Sequence, residues 1–411
     1  MRETELERFM VSMKRMSPLG RAALLLALAA AVVSCSSDGS TGGGGSGGDM
    51  GRRGEVLAAL GENVVVPLIE RFAMEAAALE TALSSATPNA GGRDAAQSAW
   101  REAMSIWQEL EMMQFGPLGA SLSVMGGQDL RARIYSWPLL IPCEVDRQTI
   151  GESYDDPDAL AQAARAPIGL WAVEYLLFTD DPGNNCAPFD PINQDGTWES
   201  MAEMIPQRRL TYAASLSTLV RRRAEELVDA WPPAGGNFIE ELTNPARSGS
   251  VYDTAQEGLN AISDAMYYLS KETEDMKLGT PLGITGCSAE QCPEALESQW
   301  ALQSKEHVIA NLRGFELLFL GGDPDADDLG FDDLLRDMGA NDVADDMANA
   351  ITAAITATEA VPGTFRDALT QDEAAMVAVH TALISVTDIL KSDFLSVLDL
   401  EAPDRAAGDN D

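Results

Sequence analysis

Histidine is scarce in this sequence: two residues in 411, His307 and His380. A zinc hydrolase normally draws on three protein ligands, usually with histidine among them, and on a general base. Neither histidine stands in H-E-x-x-H. Glu306 adjoins His307, but adjacent residues of a helix diverge and do not chelate together. Both histidines therefore read as surface or core residues. Basic residues are also few, 28 Lys and Arg against 65 Asp and Glu, for a formal charge of −37. Such a polyanion is repelled by phosphate backbones, which argues against nucleic acid as a partner. The acids are mixed with Leu, Ala and Met, so the chain is not a disordered acidic segment. No run alternates as a strand, and neither G-x-S-x-G nor a phosphate-binding loop occurs.

The N-terminal part carries an export pattern. Lys14, Arg15 and Arg21 precede an apolar run from Ala22 to Val33 that is too short to span a bilayer and reads as a secretory signal. Glu3, Glu5 and Glu7 do not suit its basic flank, so Met13 is the expected start. The run ends in Val32-Val33-Ser34-Cys35, which resembles the bacterial lipobox, in which the cysteine is lipidated and becomes the first mature residue. Residues 1–34 are thus expected to be removed, Cys35 to anchor the protein in a membrane, and residues 35–54 to form a Gly/Ser tether. Ser36 fits outer-membrane delivery, facing the periplasm or the cell surface. Without Cys35, four cysteines remain. In an oxidising compartment an even number suggests disulfides, with Cys287–Cys292 as a local loop and Cys143–Cys186 as the second pair.

Beyond residue 55 almost every segment has helical period: 55–85, 94–115, 157–179 with a break at Pro167, 198–230, 251–275, 293–320, 341–358 and 372–398. The length exceeds one ordinary helical core, and the loop at 181–196 divides the helices. The expected division is an N-terminal bundle over 55–196, a C-terminal bundle over 197–400 and an acidic tail over 401–411. "EYLLFTDD" (174–181) and "FELLFLGGD" (315–323) echo one another, as two related halves would.

Two acids fall on the wrong faces. Trp100, Met104, Trp107 and Glu111 form one helical stripe, while Glu102 and Glu109 point to the opposite, solvated side. Glu174 lies inside the apolar stretch "GLWAVEYLLF". Carboxylates in such places suggest a metal site, a pair with raised pKa, or acids neutralised by arginine, for which Arg131, Arg133 and Arg165 are candidates. "DPDADDLGFDDL" (323–334) fails as a calcium loop, because Asp328 stands where glycine is needed and Leu334 where a bidentate glutamate is needed. The methionines at 104, 112, 113 and 125 read as gap-filling core rather than copper ligands.

"AWREAMSIWQELEMMQFGP" (99–117), "IYSWPL" (134–139), "GLWAVEYLLF" (169–178), "ESQWALQSKEHVIANLRGFELLFLGG" (297–322) and "GFDDLL" (330–335) together resemble the imelysin family of exported bacterial proteins. The resemblance spans residues 55–400. It implies an all-α fold of two pseudo-symmetric bundles and a periplasmic or surface role, linked in various members to iron or metal uptake and in the name-giving member to peptidase activity. The family signature G-x-H-x-x-E falls on Gly169, Trp171 and Glu174, with tryptophan in place of histidine. Tryptophan offers only an N–H donor and cannot ligate a cation. Glu111 matches the family's nearby acid. The resemblance thus leaves Glu111 and Glu174 as a reduced site for a metal ion (iron, calcium or zinc) or a small ligand. It makes peptidase activity doubtful and leaves a structural or interaction module with a degenerate site as the alternative.

Overall fold

Among the described residues, which are 46–162, 164 and 167–403 of the computed structural model, all regular structure is helical. The signal segment, Cys35 with the first part of the tether, Arg165 and residues 404–411 lie outside the described residues. A helix already runs over Ser46–Ala59, inside the expected tether, and passes through a π-helical turn at Leu60–Val65 into the first bundle helix.

That first bundle comprises α1 (Val66–Ser84), α2 (Ala90–Leu110), α3 (Gly169–Phe178) and α4 (Ile205–Ala230). On α1, Leu68, Phe72, Ala76, Leu79 and Leu83 recur at helical spacing and are buried as one stripe. The Asn89 side chain caps α2 by accepting from the Gly92 N–H at 2.8 Å. α4 packs chiefly on α1 and α3. The Tyr212 hydroxyl of α4 also donates to the Pro167 carbonyl at 2.6 Å. The first bundle therefore extends through residue 230, and the expected division at 196/197 would separate α4 from its partners.

The second bundle comprises α5 (Ala255–Met266), continued by a π-helical stretch over Leu269–Gly279, then α6 (Ser304–Leu320), α7 (Asn341–Glu359) and α8 (Glu373–Ile389). α6 starts at Ser304, not near 293 as the periodicity predicts. Residues 296–303 are irregular, and their backbone N–H groups bond elsewhere, as described below.

The bundles meet where α6 crosses α2. Gly314 makes the crossing close: a Cβ there would lie 2.3 Å from the Glu109 carbonyl oxygen, so any larger residue would force the backbones apart. This contact also covers Glu109, which the helical wheel places in solvent. It is 9% exposed, and burial raises its carboxyl pKa against the opposing charges of Arg71 and Arg313. Cys143–Cys186 and Cys287–Cys292 are both disulfides, paired as expected. The first ties the helix Pro142–Gly151 to the loop after α3. Met104, Met112 and Met113 are core; Met125 is exposed.

Candidate functional site

The degenerate motif opens α3, and each of its residues has a local reason. Gly169 sits at φ +85°, and a Cβ there would lie 2.7 Å from the Ile134 carbonyl oxygen. Glycine alone takes that backbone conformation without strain. Trp171 is buried and donates its indole N–H to the Glu297 carbonyl at 3.0 Å, so this ring reaches across to the second half of the chain.

Glu174 is completely buried, one turn further on. Its Oε1 accepts from the Ser298 hydroxyl at 2.8 Å and from the backbone N–H groups of Ala301 and Trp300 at 3.0 and 3.1 Å. These are the amides that the irregular segment 296–303 releases from helix. Its Oε2 has no partner among the described residues. Burial pushes the Glu174 carboxyl up to about 8, the three hydrogen bonds oppose this, and the charge of Glu297 adds to it. Burial thus favours the neutral, protonated form of Glu174. Among the described residues its partners are a hydroxyl and two amides, and neither Arg131 nor Arg133, two of the candidate arginines, bonds to it.

Glu111, also completely buried, has the arginine. Arg131 Nη2 donates to Oε2 at 2.8 Å, and its Nε lies 3.2 Å from both carboxylate oxygens. Arg131 Nη1 donates to the Trp137 carbonyl at 3.0 Å. Burial alone would lower the guanidinium pKa, but Glu111 beside it holds the value above its usual range. The pair is a closed, hydrogen-bonded ion pair.

Among the described residues the two expected ligands have separate hydrogen-bond partners, Arg131 and Gln114 for Glu111, and Ser298, Trp300 and Ala301 for Glu174. What joins them is a centre that the sequence reading missed, built on Glu297. Its Oε1 accepts from the Tyr135 hydroxyl at 2.7 Å and from Gln108 Nε2 at 2.9 Å. Its Oε2 lies 3.0 Å from both Lys277 Nζ and His307 Nδ1. Lys277 Nζ further donates to Gln108 Oε1 at 2.6 Å and Asn311 Oδ1 at 2.8 Å. The Tyr268 and Trp137 rings stand 5.2 and 5.5 Å from the ammonium. Burial opposes charge on Glu297 and on Lys277 alike. The attraction of Lys277 and His307 nevertheless holds Glu297 well below the usual carboxylate range, while the Lys277 pKa is lowered by burial against the pull of Glu297 and Glu111. Electrostatically, Glu297 acts on Glu174, and Glu111 acts on Lys277.

A signal for this centre exists on α6. His307, Asn311 and Gly314 fall at i, i+4 and i+7, a polar and small stripe on an otherwise apolar helix. His380, by contrast, is a core residue, as read from the sequence.

These donors do not fit a metal ion as they stand. Glu111 is neutralised by Arg131 and Glu297 by Lys277, burial favours the protonated form of Glu174, and Trp171 supplies no lone pair. Among the described residues, one group of three metal-capable side chains lies within 4.8 Å: Cys143, Cys186 and Asp190. Its two sulfurs are joined to each other, and Asp190 accepts from Arg147 Nε at 3.0 Å. Beside the centre, a cavity of about 240 Å³ is lined by Trp137, Trp171, Met276, Thr280 and Gln299.

The fold has known counterparts. An imelysin-like protein from Psychrobacter arcticum superposes with a TM-score of 0.65 at 18% identity, covering 86% of this chain and 98% of that one. A protein assigned as an iron-regulated protein A precursor, from Parabacteroides distasonis, gives a TM-score of 0.64 at 17% identity, covering 85% and 94%. No curated protein matches the chain. Disulfides such as these two persist in oxidising compartments. The family model of imelysin, peptidase M75, matches residues 66–392, so the chain, with its two helical bundles, belongs to the imelysin family.

Proposed function

We propose that this chain is an exported, lipid-anchored protein of the cell envelope that serves iron supply as a binding module and not as a peptidase. The observation that carries the non-hydrolytic part is the occupied donor set. Glu111 and Glu297 are each paired with a cation and burial favours the protonated form of Glu174, so among the described residues this centre offers no free carboxylate to hold a metal that would activate water. Anchoring rests on Cys35 after its apolar run. The link to iron rests on the resemblance to a protein assigned as iron-regulated. With the centre closed, ligand contact falls to the cavity over Trp137 and Trp171. Within this reading Glu174 is structural: it ties α3 to the segment before α6.

Deletion of the gene in its own cell, complemented with variants, tests this. Under iron restriction the deletion strain grows poorly, and wild type and Glu174→Gln both restore growth. Cys35→Ala restores neither growth nor the membrane fraction of the protein. Growth indifferent to the deletion at every iron level would overturn the reading, as would peptide hydrolysis that Glu174→Gln abolishes.

A further inference from the structure

The most unusual group in the centre is Lys277, a lysine 1% exposed, on a π-helical stretch, with its ammonium in the junction of two bundles. We propose that this ammonium is the resident cation of the inter-bundle centre, doing by covalent attachment what a bound metal ion would otherwise do, so that the chain is a metal-independent member with a latent cation site. An ammonium has three N–H donors and no acceptor. Here three oxygens surround it, from Gln108 at 2.6 Å, Asn311 at 2.8 Å and Glu297 at 3.0 Å. They come from α2, α6 and the irregular segment before α6, so the cation joins three separate elements across both halves. Aromatic rings on two sides complete the enclosure.

Charge balance points the same way. Lys277 offsets Glu297 and Arg131 offsets Glu111. An added divalent ion would enter a buried volume whose carboxylates already face cationic groups, at a desolvation cost that no unpaired carboxylate there compensates. Remove the lysine side chain beyond Cβ and the balance changes. Two amide oxygens and one carboxylate then face a vacated point, a hard, oxygen-rich donor set of the kind manganese accepts.

The test uses the full mature chain in detergent, with Mn²⁺ and n-propylammonium as probes; propylammonium matches the atoms that Lys277→Ala removes. Wild type shows no stoichiometric Mn²⁺ binding and no shift in Tm with either probe. Lys277→Ala melts lower in sodium buffer, and its Tm rises by about 5 °C or more with millimolar Mn²⁺ or propylammonium. One equivalent of Mn²⁺ bound by wild type would overturn the proposal, as would a folded Lys277→Ala variant indifferent to both probes. If Lys277→Ala folds in no buffer, Lys277→Met is compared with Lys277→Met/Glu297→Gln. The double variant melts higher if Lys277 serves to neutralise Glu297, and equal or lower melting overturns the proposal. Failure here leaves the anchoring and the growth phenotype proposed above untouched, because neither depends on Lys277.

Discussion

Replacing Glu174 by glutamine should make the protein progressively more stable relative to wild type as pH rises, and the more stable of the two at pH 8. Glutamine keeps an oxygen where Oε1 accepts from Ser298, Trp300 and Ala301; its amide nitrogen falls where Oε2 has no partner among the described residues, a cost of about 1–3 kcal/mol that does not change with pH. What it removes is a titration. The Glu174 carboxyl stands at about 8 in the folded chain against an ordinary 4.5, because burial disfavours its charge. The folded state therefore binds this proton more tightly than the unfolded state does. Its stabilising effect is fully present below the ordinary value and is lost as pH rises through the folded one. Between pH 5 and pH 8 the wild type should lose on the order of 3 kcal/mol through this group, and Glu174→Gln should not. Urea unfolding of both proteins at pH 5, 6, 7 and 8 measures the difference, provided the m values agree. The argument fails if the two stabilities stay parallel across that range, or if the variant is the weaker protein at pH 8. Either result would mean that Glu174 is charged in the native state and answered by something outside the hydrogen bonds described.

Three further outcomes follow from the packing. Arg131→Met strands the buried Glu111 carboxylate and should cost about 3–5 kcal/mol in denaturant unfolding, whereas Arg131→Met/Glu111→Gln should recover most of that loss. Gly314→Ala puts a methyl group against the Glu109 carbonyl and should cost about 2 kcal/mol; a loss below about 0.5 kcal/mol would show that α2 and α6 are free to separate. Substituting both Cys143 and Cys186 by serine opens a covalent loop spanning 43 residues and should lower stability by about 4 kcal/mol, read from the shift of the urea midpoint.

The helices were readable because their burial is one-sided: the stripes of α1 and α2 repeat at helical spacing, and Asn89, Pro167 and the Gly-rich turns punctuate them. The pairing of the cysteines followed from number and loop length. The centre of the site was hidden for two physical reasons. Lys277 lies in "SKETEDMKLG", which a 3.6-residue wheel spreads around an ordinary charged helix. The observed π-helical winding changes which residues share a face and turns the lysine inward. Glu297 lies in "EALESQWALQ", whose composition favours helix. Tertiary bonds win there, because Glu174 takes two backbone N–H groups of the segment. Glu109 was misplaced for a related reason: a wheel shows one helix, and only the crossing at Gly314 reveals that the second bundle covers that face.

The position of Lys277 also bears on how the molecule comes apart. Gln108 and Tyr135 belong to the N-terminal half, while Lys277, Glu297, His307 and Asn311 belong to the C-terminal half. Cut after residue 231 and the C-terminal piece keeps its buried ions but forfeits the amide and hydroxyl that solvate them; the N-terminal piece is left with Glu174 facing water in place of the amides that shield it. The two halves are therefore obligate companions, and a fragment of either one should behave as an unfinished protein.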